Sequence, residues 1–297
     1  MKINGDAGMA VGKNGGTELK NWIGRTETMT ELVAARPVAA LNATLDRSDA
    51  FPSPGDPLPP LYHWLTFLPL AETRELDADG HPRRGDFLPP VTLPRRMWAS
   101  SEVAFTGRVR IGEEATRSSV IEDIAEKQGR TGPLVFVTIR HEIANADGIA
   151  ITDRQTIVYR GVDRGAARGG KLPAGKPAPG ASDFSRAITP SAAFLFRYSA
   201  LIFNAHRIHY DHPYTTEVEG YPGLVVHGPL LATLLTDLVR RALPDHAITR
   251  FRFRAVKAVF DDAPFTICGR RDGEHAVALW VRDGAGDLCV DAAAELG

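Results

Sequence analysis

The chain has 297 residues, 43% of them hydrophobic, enough to bury the core of one large domain or of two smaller ones. Its 35 Lys and Arg against 36 Asp and Glu leave a formal net charge of −1, which excludes nucleic acid or an anionic membrane surface as the main partner. The two cysteines, Cys268 and Cys289, form neither a metal spacing nor a disulfide framework and suit a reducing compartment. The first residues show no apolar signal core and no window approaches ~18 uninterrupted apolar residues, so a cytoplasmic location is expected.

Taken in chain order, Thr30–Leu45 reads as a helix that Pro37 must start, kink or split. A proline-rich irregular stretch covers 52–94. Strands are expected through Glu102–Ile111 and Ala115–Ala125, then a hairpin of Leu134–Ile143 with Ile149–Tyr159 across Asn145-Ala-Asp-Gly148. Residues 161–182 are rich in Gly, Pro and Ala and read as a linker, dividing the chain into 1–162, a linker at 163–182, and 183–297. From Gly228 to Leu243 the apolar positions Leu230, Leu231, Leu234, Leu235, Leu238 and Val239 make a helical stripe wide enough for near-complete burial. Pro229 suits its first turn, Arg240 and Arg241 its last, and Pro244 stops it. The Phe/Arg alternation in 250–260 is strand-like. Further strands follow at Ala263–Gly269, Ala276–Arg282 and Leu288–Ala293, parted by Asp272-Gly273 and Asp283-Gly284 turns. A helix followed by an antiparallel meander thus occurs twice. The expected fold is α+β, a double hot dog in which each sheet wraps a buried helix and the two sheets join edge to edge.

Four of the nine histidines, His206, His209, His212 and His227, fall just ahead of the apolar helix, in a segment punctuated by Pro and Gly. Side chains that titrate near neutrality are natural proton carriers. A helix N-terminus beside them suits chemistry that develops negative charge.

The segment Phe203-Asn-Ala-His206-Arg-Ile-His209-Tyr-Asp211-His-Pro213, followed by Gly223-Leu-Val-Val-His227-Gly228-Pro229, resembles the hydratase motif of the MaoC-like enoyl-thioester hydratases and dehydratases. It looks most like the branch holding mitochondrial type-2 hydroxyacyl-thioester dehydratases and bacterial mesaconyl-C4-CoA hydratases. Secondary support comes from Pro60-Leu-Tyr-His-Trp64 and Trp98–Gly107. The resemblance places the catalytic histidine at His209, an acidic residue at Asp211, and the helix-opening pair at His227-Gly228. Asn204 stands where most of the family has a catalytic Asp, and His206 where it has Asn. The implied reaction is hydration of a 2-enoyl-CoA, with mesaconyl-C4-CoA preferred and a 3-hydroxyacyl-ACP/CoA dehydratase as the alternative. It needs no cofactor or metal.

Such a reaction needs a base for water, an acid for the α-carbon and donors for the enolate oxygen. His209 is expected to polarise the water. Asn204 can orient water but cannot take its proton, so His206 is the nearest group to complete the pair, and Asn204 and His206 are expected to work together. The backbone N–H of Gly228 is expected to receive the thioester oxygen. Tyr210, Asp211, His227, Arg197 and Arg207 are candidate substrate-binding residues, with Arg250, Arg252, Arg254 and Lys257 near enough in sequence to contribute to phosphate contacts. The first half lacks a copy of the histidine motif and is expected to be a degenerate hot dog. The expected partner is an acyl-CoA or acyl-carrier thioester, and the expected assembly a homodimer or a pseudo-dimeric monomer. Two other classes compete: a hot-dog thioesterase, for which Asp237 is the sole acid on the apolar helix, and a non-catalytic acyl-thioester-binding protein.

Overall fold

The computed structural model describes residues 15–129, 132–161 and 175–297; most of the expected linker lies outside these. Five strands come from the first part of the chain: β1 (Thr26–Leu32), β2 (Arg95–Phe105), β3 (Glu114–Gly129), β4 (Gly132–Asn145) and β5 (Gly148–Arg160). Five come from the second: β6 (Phe184–Ile188), β7 (Ile248–Ala255), β8 (Phe265–Arg271), β9 (Ala276–Arg282) and β10 (Leu288–Leu296). Together they make one antiparallel sheet ordered β1-β3-β4-β5-β2-β7-β10-β9-β8-β6. Read outward from the middle, both halves follow the same winding. The junction is the pairing of β2 with β7, from Ser100↔Arg254 to Ala104↔Arg250, so the expected edge-to-edge union is present.

Four helices accompany the sheet: α1 (Gly15–Lys20), α2 (Ala35–Thr44), α3 (Ala192–Leu201) and α4 (Gly228–Ala242). α4 coincides with the expected apolar helix. Every residue from Pro229 to Val239 is buried, and the helix packs on strands of the second half and on β2. The hairpin β4–β5 and strands β8 to β10 also fall where expected.

Three expectations need correction. Thr26–Leu32 is a strand, because alternating threonines suit an edge position. The helix starts only at Ala35, which leaves Pro37 in a first turn where its missing N–H costs nothing. β2 begins at Arg95 and ends at Phe105, earlier than the expected Glu102–Ile111. Thr106 and Gly107 both donate to the Ala150 carbonyl there and turn the chain out of the ladder. β6 and α3 were not foreseen. α3 carries a local signal, since the Ser191 side chain accepts the N–H of Phe194 and caps it.

α2 spans ten residues while β3 to β5 span 13 to 16, so α2 cannot cover their length. One end of that surface joins the main core with α2 and α4. Ile121, Ile124, Val137 and Ile157 at the other end are covered by Phe87, Leu88, Val91, Leu93, Leu19 and Trp22. The proline-rich stretch therefore does helical work. Between the clusters lies a buried polar band, in which His141 bonds Ser119 and Gln155, and Asp153 accepts from Trp64.

Asp237, fully buried on α4, receives Arg47 at 2.6 Å, Arg241 at 2.7 Å and Arg186 at 3.4 Å. It ties the helix to the segment after α2 and to β6. Asp237→Asn leaves these guanidinium groups without their buried counter-charge and should lower unfolding free energy by about 3–5 kcal/mol. Urea unfolding followed by circular dichroism measures this, and a loss under about 1 kcal/mol would show that the tie is dispensable.

Candidate active site

The segment after α3 is shaped by short-range bonds. Phe203 adopts a left-handed conformation at φ 49°, which costs a non-glycine residue and reverses the chain. Asn204 N–H then donates to Ser199 O at 2.8 Å, and Asn204 Oδ1 accepts the His206 N–H at 2.9 Å. A 3-10 turn follows at Arg207–His209 and a π-helical turn at Tyr214–Val218. The returning chain pairs Val225 N–H with Ile208 O, and His227 sits at the N-cap of α4. Sequence-distant imidazoles are thereby brought together.

Four of them form a column. His209 stacks on His227 with ring centroids 3.6 Å apart and planes 17° from parallel. His206 meets His209 edge to face at 5.4 Å, and His81 packs on His206 at 3.9 Å. Each end is tied down: His227 Nε2 shares a 2.8 Å hydrogen bond with Ser199 Oγ, and His81 Nδ1 meets Asp79 Oδ2 at 2.9 Å. The expected i, i+3 pairing of His206 with His209 is present.

His209 Nδ1 lies 2.7 Å from the Val225 carbonyl. A carbonyl only accepts, so Nδ1 carries the hydrogen and Nε2 is left as a lone-pair base. Nε2 has no partner among the described residues. Burial pushes the His209 pKa down to about 4; the Val225 bond opposes this, and His81 adds to it. Burial also holds His206 and His227 well below the ordinary histidine range, with the neighbouring imidazoles adding to the effect. At neutral pH the column is uncharged.

Gly228 opens α4, and no hydrogen bond within the described residues ends on its N–H. A Cβ there would stand 3.7 Å from the Trp98 carbonyl of β2, so the first half of the chain walls this point. A free N–H at the positive end of a long buried helix, near neutral imidazoles, has the chemistry to favour an oxyanion.

Asp79 and His81 were missed in the sequence because they lie in the irregular stretch 52–94. The signal was Asp77-Ala-Asp-Gly-His81, an Asp/Gly turn presenting a histidine. This turn clamps the motif. Arg207 N–H donates to Asp79 O at 2.8 Å and Arg207 Nη1 to Ala78 O at 3.0 Å. A Cβ on Gly80 would fall 1.9 Å from Ala205 O, so glycine is required there. Asp79, His81 and His206 each offer a ligand atom within 4.8 Å of the others, the one such trio among the described residues. Within this trio Asp79 is bonded to His81, and the two rings lie 3.9 Å apart with planes tilted by 37°.

The remaining candidates divide. Asp211 takes two bonds from Arg207 and caps the Tyr214 N–H, while the Arg207 guanidinium lies 3.9 Å from the Tyr214 ring centre, so both brace the loop. Tyr210 is half exposed and donates to Ala205 O. Arg197 lines a cavity of about 330 Å³ with Arg186, Asp46 and Phe194, none of which belongs to the histidine column. Arg250, Arg252 and Arg254 form the exposed face of β7 between buried Phe251 and Phe253. Lys257 is held by Asp283 and Asp287.

Residues 61–261 match the model of the family described as hydroxyacyl-thioester dehydratase type 2. The chain is 44% identical to the mesaconyl-C(4)-CoA hydratase of Chloroflexus aurantiacus over 93% of its own length and 97% of the relative's. The chain belongs to the hydroxyacyl-thioester dehydratase type 2 family. That membership makes it a hydro-lyase, the class of hydratases and dehydratases alike. It is also 29% identical to the mitochondrial hydroxyacyl-thioester dehydratase type 2 of Schizosaccharomyces pombe, over 75% of this chain and 80% of that one. The crystal structure of a MaoC-like dehydratase from Phytophthora capsici superposes with a TM-score of 0.68 at 15% identity, covering 95% and 97% of the two chains, and shares the double hot-dog fold. No helix among the described residues is long and apolar enough to cross a membrane.

Burying neutral imidazoles has a thermodynamic signature. His209 and His141 are both held to about 4, whereas an unfolded histidine titrates near 6.5. Between these values the unfolded chain binds more protons, so stability present above pH 6.5 is lost as pH falls towards 4. Each such group contributes up to about 1.4 kcal/mol per pH unit in that window. Urea unfolding at pH steps from 7.5 to 4.5 should show this slope. His209→Asn should reduce it by about one proton, and an unchanged slope would contradict a buried neutral His209.

Proposed function

We propose that the chain hydrates the double bond of a 2-enoyl-CoA, with mesaconyl-C4-CoA as substrate and citramalyl-CoA as product. The observation that carries this is the fixed tautomer of His209, whose basic Nε2 stands in an uncharged column beside the free N–H of Gly228. The acyl group follows the Chloroflexus relative, matched along nearly the whole of both chains. The same proposal divides the chain into an N-terminal half at 1–162, a linker at 163–182 and a catalytic half at 183–297. It places the enzyme in the cytoplasm, as a homodimer or as a monomer whose halves take the place of a dimer.

In this mechanism His209 Nε2 takes a proton from water as the water oxygen bonds to the β-carbon. The π electrons move to the thioester, and the enolate oxygen is met by the Gly228 N–H and the positive end of α4. His209 holds the proton, with the His206 ring edge-on beside it as the second titratable group of the pair, and returns it to the α-carbon. The column ends the cycle neutral. Asn204 caps the backbone at His206 and so sets the ring's position. Tyr210, Asp211 and Arg207 hold the loop around the acyl chain, and His227 backs His209 by stacking.

A thioesterase would need a carboxylate free to act, and Asp237 is engaged by three arginines. The three classes separate in one assay. Crotonyl-CoA, mesaconyl-C4-CoA and a saturated acyl-CoA are each incubated with the protein while enoyl absorbance and free thiol are read. Loss of absorbance without thiol is expected, fastest with mesaconyl-C4-CoA. Thiol release would establish a thioesterase, and neither signal a binding protein. Faster turnover of 3-hydroxyacyl thioesters would favour the dehydratase alternative. His209→Ala should lower kcat by at least about 10²-fold with the fold intact, the usual scale for an acid/base group. Retention of more than about a tenth of wild-type turnover, a loss under ~1.4 kcal/mol, would remove His209 from the base role.

A further inference from the structure

The motif segment lacks a carboxylate at the position of Asn204, yet one stands at the end of the histidine column. Asp79 reaches it from the first half of the chain, on the turn that clamps the motif. Its Oδ2 holds His81 Nδ1, and the opposite side of the column is fixed by Ser199. We propose that Asp79 and His81 are positioning residues of the active site: through the 3.9 Å ring contact they set the orientation of His206, and the Asp79 charge stabilises the imidazolium while the column carries the proton.

Several observations converge on this. The Asp79 side chain is only about 20% exposed and that of His81 about 17%, so their mutual attraction is weakly screened. The bond at Nδ1 presents His81 in one tautomer, with Nε2 left as an acceptor. Gly80 approaches Ala205 so closely that no side chain fits between the clamp and the motif. The Asp79 carbonyl takes the Arg207 N–H, which registers the clamp against the 3-10 turn carrying His209. Arg96, Arg84, Tyr214, His206 and His209 are the other charged or titratable groups that interact with the pair. Arg96 and Arg84 are cations that disfavour a proton on His81, and Asp79 acts in the opposite sense. Burial opposes the Asp79 charge, but the hydrogen bonds it receives from the His81 ring and backbone N–H hold the carboxyl well below its ordinary range.

This inference rests on the hydratase reading and deepens it. Asp79→Asn decides it, because asparagine keeps an acceptor for His81 Nδ1–H and the backbone bond to Arg207 while deleting the charge. The wild type is first assayed on crotonyl-CoA and mesaconyl-C4-CoA. Asp79→Asn should then lower kcat about 10²-fold with KM within about threefold, and Asp79→Glu should retain more than Asp79→Asn. His81→Asn, which loses the ring but keeps a donor for Asp79, should show the same split and serves if Asp79→Asn melts below the assay temperature. A kcat within about threefold of wild type in either folded variant would reduce the pair to a loop fastener and overturn the proposal. So would loss of wild-type activity on chelation, which would place a metal at Asp79, His81 and His206. If the wild type hydrates no enoyl-CoA, the hydratase reading falls and takes this one with it; if only the variants fail to respond, the hydratase reading stands.

Discussion

The pairing of β2 with β7 is the constraint on which the site depends. Five residue pairs join two sheets that would otherwise each present an open edge. Because the joint lies at the centre, β2 runs beside the N-terminus of α4, and the Trp98 carbonyl walls the approach to Gly228. The 72–83 turn then reaches the 204–211 segment from the first half. Residues 183–297 alone would have the motif but neither the wall nor the clamp.

The second half was legible because its side chains obey simple periods. Leu230 to Val239 repeat at helical spacing with a proline at the start, and Phe251/Phe253 alternate with arginines on a strand. Asp-Gly pairs marked the turns. The first half was less legible where covering is done without regular structure. The stretch around Phe87–Leu93 shields the ends of β3 to β5, and no periodicity announces that. Thr30–Leu32 was read into the following helix because a short, mostly exposed edge strand has no buried face to mark it.

The site shows the same division. His206, His209 and Gly228 were visible because they lie within one contiguous motif next to a strong helix. Asp79 and His81 were not, since their proximity to His206 is a property of the β2–β7 union and not of local spacing. Asn204 carried a clear anomaly in the sequence, an amide where the family pattern has an acid. Its structural role is a backbone cap, and the carboxylate near the histidines comes from more than a hundred residues upstream.

Burial alone does not separate an imidazole with an open nitrogen from a packed one in this molecule. His141 is as strongly shifted as His209, each held near 4 chiefly by burial. The difference lies in how their two nitrogens are used. His141 meets Ser119 at Nδ1 and Gln155 at Nε2, so both its polar atoms are satisfied and it packs between two apolar clusters like any other core group. His209 has one nitrogen committed to a carbonyl that dictates the tautomer, while the other stays open beside the start of a helix. Neutrality supplies the lone pair, and the committed nitrogen aims it. In the proposed reaction the N–H of Gly228 would receive the negative charge that forms on the thioester. The burial that lowers stability in acid is thus also what keeps His209 neutral, with a lone pair to offer, at neutral pH.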